Sequence, residues 1–220
     1  MRKYVLTGGP GSGKSSLLDA LRERGYTCSA EASRPLIMEE LALGSNCLPW
    51  TDLPCFAEKV LRRMVEAYHQ AVTEGARARS IGSTGGQPAG GPRANAVIDA
   101  RADAADDPPA SGAVFFDRGI PDIIAYLRAA GLPVQEHFYA LARQCPYEKT
   151  VFLLPPWKHI YVQEAARRQT YQEAERLFHE IRETYQEAGY RIKELPAATV
   201  EKRVNFILDC IRETNIRTIV

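Results

Sequence analysis

Neither C-x-x-C nor H-x-x-x-H spacing occurs anywhere in the chain. The five cysteines, at positions 28, 47, 55, 145 and 210, are odd in number and scattered. The expectation is therefore no disulfide framework and no zinc site, with free thiols suited to a reducing compartment. No stretch approaches the ~20 apolar residues of a membrane span. The apolar run near the N-terminus is too short for a signal peptide, and the expected location is cytoplasmic. Charge of one sign is not in surplus either, since 28 basic and 27 acidic residues leave a net +1. That balance argues against nucleic acid or an anionic membrane as the main partner. No internal repeat is visible.

What remains is an ordinary globular composition. At 220 residues and 45% hydrophobic content, the chain can bury a sizeable core, as one α/β domain with room for an insertion. Short apolar runs at Lys3–Thr7, Tyr26–Ala30, Ala113–Asp117, Lys149–Leu154 and Tyr190–Leu195 read as five strands. Helical patterns separate them, with no hairpin signal, which predicts a parallel sheet covered on both faces. Helices are expected from Arg34 to Leu43, from near Pro54, from Pro121, from Pro133, over Tyr171–Tyr185 and from Thr199, a plausible N-cap. Between about Gly75 and Gly112 the chain turns to Gly, Ala, Pro, Arg and Asp with no aromatic residue. Residues 75–112 therefore read as a low-complexity, disordered insertion.

The strongest local signal follows the first strand. Gly8, Gly9, Pro10, Gly11, Ser12, Gly13, Lys14 and Ser15 fit G-x-x-x-x-G-K-[ST] at every fixed position, and Ser16 extends the contact surface. Glycines let the backbone wrap around a phosphate, and the amides at the following helix N-terminus point at it. Lys14, placed at an exposed mouth of the loop, supplies charge to the β- and γ-phosphates, and the Ser15 hydroxyl ligates magnesium. ATP with Mg2+ is the expected ligand pair.

Other candidates sit where a parallel sheet presents its functional groups, at strand carboxyl ends. Asp117 ends the VFF strand and is the expected second magnesium group. Arg118 follows it, where ATPase motors carry a water-activating Glu, and no NKxD-like guanine signature occurs. Glu31, just past the second strand, is placed to accept a proton from a substrate hydroxyl. Arg34 and Arg118 are placed to hold the acceptor. After the fourth strand, Arg167 and Arg168 lie in a short lid-like segment, residues 157–172, from which arginines reach a transferring phosphoryl group.

Gly8–Ser15, Glu31–Arg34, Phe116–Asp122 and Val151–Trp157, in that order, resemble a family of small AAA-labelled P-loop predicted ATPases. That family is similar to the bacterial nicotinamide riboside kinase domain and, more distantly, to deoxynucleoside and adenylate kinases. The resemblance covers nearly the whole chain outside 75–112. It implies a three-layer P-loop NTPase with a kinase-like sheet order of 2-3-1-4-5. It also implies Glu31 or Asp117 near the acceptor, and Arg167 or Arg168 in the lid. The expected activity is transfer of the γ-phosphoryl of ATP to a small hydroxyl-bearing acceptor, such as a nucleoside. The alternative is an ATPase or nucleotide switch acting through a protein partner, with 75–112 as the contact.

Overall fold

The structure, a computed structural model, describes residues 1–81, 112–157 and 171–217. Among them twelve elements follow one another, each strand followed by one or two helices. They are β1 (Arg2–Gly8), α1 (Lys14–Glu23), β2 (Thr27–Cys28), α2 (Ser33–Ala42), α3 (Leu53–Ile81), β3 (Ala113–Asp117), α4 (Ile120–Ala129), α5 (Glu136–Gln144), β4 (Thr150–Leu154), α6 (Tyr171–Glu187), β5 (Arg191–Glu194) and α7 (Val200–Arg217). The five strands form one parallel sheet in the order β2-β3-β1-β4-β5.

The alternation of side chains along the central strands explains the three layers. Val5, Val114, Phe116, Val151 and Leu153 point to one face and join the core under α3, α4, α5 and α6. Tyr4, Leu6, Phe115, Phe152 and Leu154 point to the other, where α1 and α7 cover them. A sheet buried on both faces needs apolar residues at successive positions, which is what β1, β3 and β4 carry. β5 differs: Arg191, Lys193 and Glu194 are exposed, and a charged, short edge strand resists pairing with another chain.

Register sets the site. Leu6 lies opposite Asp117 on one side, and Gly8 lies opposite Leu154 on the other. The ends of β3 and β4 therefore flank the loop that leaves β1. After β5, Thr199 caps α7, with the Lys202 N–H donating to Thr199 Oγ1 at 3.4 Å.

Several expectations need correction. Cys47 and Cys55 are joined in a disulfide across the α2–α3 connection. The pair lacks C-x-x-C spacing, and the turn at Leu48–Asp52 brings the two cysteines together. α3 continues through Ile81, past the Gly75 boundary, because Glu74, Ala76, Arg77 and Ala78 are good helix formers despite the flanking glycine. β2 is only two residues long, and α5 starts at Glu136 rather than Pro133. Residues 82–111 of the expected insertion, and 158–170 of the expected lid with Arg167 and Arg168, lie outside the described residues.

Candidate functional site

The loop between β1 and α1 is shaped by its glycines. Gly8 has φ +145°, and a Cβ there would sit 2.5 Å from the Leu154 carbonyl oxygen. Gly11 and Gly13 take φ values of 74° and 84°, in the left-handed region that favours glycine. Gly13 is the residue from which α1 starts, so the first amides of α1 open onto the loop's concavity.

Lys14 is not at an exposed mouth. It is 8% exposed, and its ammonium folds over the loop, donating to the Gly8 carbonyl at 2.8 Å and the Gly9 carbonyl at 3.1 Å. Burial, with Arg118 adding like-charge repulsion, pushes its pKa down to about 7, against the pull of Asp117, Asp122 and Glu31. The expectation failed because exposure depends on how tightly the loop closes, which the motif alone does not state. Ser15 and Ser16 are exposed on the first turn of α1.

Asp117 ends β3 and is 7% exposed. Its backbone N–H donates to Ser29 Oγ at 3.0 Å, which ties the end of β3 to the loop after β2. Burial raises its carboxyl pKa, while Lys14 and Arg118 oppose the rise. Its Oδ1 is buried without a hydrogen-bond partner. Buried carboxylate oxygens are nearly always paired. An orphaned acceptor beside a phosphate loop fits a magnesium ion, which Asp117 and the Ser15 hydroxyl would hold together with a phosphate. No cluster of three acidic, His or Cys ligands exists among the described residues, and a site of this type needs only one carboxylate.

Arg118 has φ 71°, uncommon for a residue with a side chain. Its N–H donates to the Leu6 carbonyl at 2.9 Å. The guanidinium lies 5.3 Å from the Tyr126 ring centroid and 3.5 Å from Asp122 Oδ1. Burial works against its charge, but Tyr126, Asp122 and Asp117 outweigh it and raise the pKa.

Asp122 is the residue that sequence reading passed over. It is 1% exposed, and both carboxylate oxygens are saturated. Thr7 Oγ1 and the Arg118 guanidinium meet Oδ1. The Gly119 N–H at 2.9 Å and the Tyr185 hydroxyl at 2.6 Å donate to Oδ2. One carboxylate thus joins the end of β1, the start of α4 and the last turn of α6. The available signal was its place three residues after Gly119, as the acid in the first turn of α4.

Glu31 and Arg34 stand further out. Arg34 Nε is 3.7 Å from Glu31 Oε2, with side-chain exposures of 75% and 31%. At the end of β3 lies a shallow, open depression with room for little more than one water molecule. Ser29 and Ala30 line it from the end of β2, Asp117 and Arg118 from β3, and Met64 and Tyr147 add apolar walls. The structure thus gathers Lys14, Asp117, Arg118 and, through its field on all three, Glu31 at the carboxyl edge of the sheet.

A nucleotide-binding loop leaving the central strand of a 2-3-1-4-5 parallel sheet defines a P-loop NTPase with kinase-like topology. The chain belongs to an AAA-domain family, whose model matches residues 3–78 and 92–203. No curated protein matches it. Among solved structures it is similar to NadR in complex with NR, at TM-score 0.58 and 16% identity, covering 97% of this chain and 50% of that one. It is also similar to thymidylate kinase from Ehrlichia chaffeensis, at TM-score 0.53 and 10% identity, covering 96% and 98%. The deoxyadenosine kinase from M. mycoides, with products dCMP and a flexible dCDP bound, gives TM-score 0.52 and 13% identity, covering 96% and 99%. At these identities the likeness is one of fold.

Proposed function

We propose that the chain is a phosphotransferase that moves the γ-phosphoryl of ATP to a small hydroxyl-bearing acceptor such as a nucleoside. The observation that carries this reading is the grouping of Lys14, Asp117 and Arg118, within the field of Glu31, at the carboxyl edge of the sheet. Arg118 stands where ATPase motors carry a water-activating Glu, and a guanidinium cannot take a proton from water.

In this reading the loop amides and Lys14 hold the triphosphate, and Ser15 and Asp117 hold the metal. Magnesium, when bound, neutralises charge that builds on the phosphoryl oxygens. Glu31 takes the proton from the acceptor hydroxyl. Arg34 and Arg118 orient the acceptor, and Arg167 and Arg168 of the 157–172 lid reach the transferring group. Most of the rate enhancement then comes from positioning and charge neutralisation.

One observation favours the competing ATPase-switch reading, in which 75–112 contacts a protein partner. The depression beside Asp117 and Arg118 has room for little more than one water molecule, far below the roughly 300–1,000 Å3 of typical ligand pockets. Turnover of magnesium-ATP with and without a panel of nucleosides, sugars and other small alcohols separates the two. The kinase reading expects at least one acceptor to raise ADP formation well above basal hydrolysis. Flat turnover across the panel favours the switch.

A further inference from the structure

The one disulfide among the described residues closes the corner between α2 and α3. Cys47 is buried just beyond the end of α2, and Cys55 is partly exposed in the first turn of α3. The Ser45 hydroxyl accepts the Cys47 N–H at 3.0 Å, and the Asp52 carboxylate accepts the Cys55 N–H at 3.0 Å. Cys28, Cys145 and Cys210 remain free thiols. The two sulfurs differ in access, so an incoming thiolate meets Cys55 first. A cysteine at the N-terminus of a long helix is also favoured as a thiolate. Lys59, one turn further along α3, adds to that effect, and the Asp52 carboxylate opposes it.

Apart from this bridge α2 has few holds. Leu36 is its one buried apolar residue. Glu40 pairs with Lys59 at 2.6 Å and Glu39 pairs with Arg63, and both cations reach solvent. Ion pairs open to water hold weakly. Met38 and Leu41 on the helix, and Leu43 just after it, are exposed. This loosely held helix carries Arg34 in its first turn, with Glu31 two residues before its start. The phosphate loop and Asp117 belong to other elements.

We propose that the Cys47–Cys55 disulfide is a redox switch on the acceptor side of the site. Bridged, it holds α2 in place with Glu31 and Arg34; exchange with a dithiol releases them. The effect on turnover rests on the phosphotransferase reading, whereas the release of α2 does not. In the exchange, one thiolate of the dithiol attacks the Cys55 sulfur. The Cys47–Cys55 bond breaks, and Cys47 leaves as a thiolate that takes up a proton. The dithiol's second thiolate then attacks its own partner sulfur in the mixed disulfide, and Cys55 leaves in turn. The dithiol loses two electrons and the cysteine pair gains them. Exchange with an oxidised dithiol runs the same steps backwards.

The test compares full-length wild type, untreated and treated with dithiothreitol, with Cys47→Ser/Cys55→Ser. Alkylation after an acid quench is expected to count three thiols before treatment and five after it, with cooperative melting retained. Reduction should speed hydrogen exchange of amides 36–42 about tenfold or more and leave α4 unchanged. The double variant should match reduced wild type and ignore dithiothreitol. With magnesium-ATP and an acceptor that stimulates turnover, reduction should raise the acceptor KM about fivefold or more and leave ATP affinity unchanged. A pair reduced only on unfolding, or α2 exchange that reduction does not alter, overturns the switch and leaves the phosphotransferase reading standing. Faster exchange of α2 with an unchanged acceptor KM overturns it too. If no acceptor stimulates turnover, the phosphotransferase reading falls, and the exchange of α2 alone decides the switch.

Discussion

At the scale of single residues, the site is a group of charges held in place by burial. Lys14 gives a pH signature. Its folded-state pKa of about 7 lies below the ~10.4 of an exposed lysine. Below pH 7 both the folded and unfolded chains carry the proton, and the cost of burying the charge is present in full. Between about pH 7 and 10 the unfolded chain binds more protons, so this group's contribution to stability improves as pH rises. Ligand-free wild type is therefore expected to gain melting temperature relative to Lys14→Met from pH 6.5 to 9.5. Bound ATP, whose phosphates hold the ammonium charged, should flatten that gain. Parallel melting curves for the two proteins across this range would contradict the burial of Lys14. Asp117 and Glu31 should separate functionally. Glu31→Gln is expected to lower kcat by about 10²–10⁴-fold, the usual range for a positioned general base, with ATP affinity near wild type. Asp117→Asn should weaken magnesium-dependent nucleotide binding as well as turnover. Isothermal titration beside steady-state kinetics checks the split, and equal small effects of both substitutions would remove Glu31 as the base.

Elements are joined here by a few long-range contacts. Asp122 connects β1, α4 and α6 through Thr7, Gly119 and Tyr185. Truncating it strands several buried donors, each at about 1–3 kcal/mol. Asp122→Ala is expected to lose on the order of 3 kcal/mol or more, against about 1 kcal/mol for Tyr185→Phe, which removes one donor. Urea unfolding of the two variants tests this, and equal losses would show that the network is not centred on the carboxylate. The α2–α3 connection carries its own constraint. The Cys47–Cys55 disulfide spans eight positions, and closing a loop of that size stabilises by about 2–3 kcal/mol in the chain-entropy model. Reductant should lower the urea midpoint of wild type and leave Cys47→Ser/Cys55→Ser unmoved. A wild-type midpoint insensitive to reductant would contradict a formed disulfide. The α3–β3 connection is different. Replacing 82–111 with a short Gly/Ser linker should preserve cooperative melting and ATP binding, because long loops cost little to close. Loss of cooperative melting would show that this segment belongs to the core.

For the whole molecule, what could be read from the sequence was what local pattern determines. The phosphate loop, the five strands, the Thr199 cap and the position of Asp117 each follow from a motif or a periodicity a few residues wide. The sheet order followed from the resemblance, and the strand pairings agree with it. What was missed depends on residues far apart in the chain. Asp122 meets partners 115 and 63 positions away, and Arg203 reaches Ser12 across 191. The disulfide depends on a turn with no cysteine signature, and the burial of Lys14 depends on loop closure against Leu154. The roles given to Glu31, Arg34, Arg118 and the 157–172 lid rest on the proposed function. The fate of the γ-phosphoryl group tests that function most directly. With γ-labelled ATP, magnesium and an acceptor that stimulates turnover, the label is expected in an organic phosphate ester, in excess over inorganic phosphate. Lys14→Ala should abolish both products. Label found only in inorganic phosphate, at a rate no acceptor changes, would contradict the phosphotransferase.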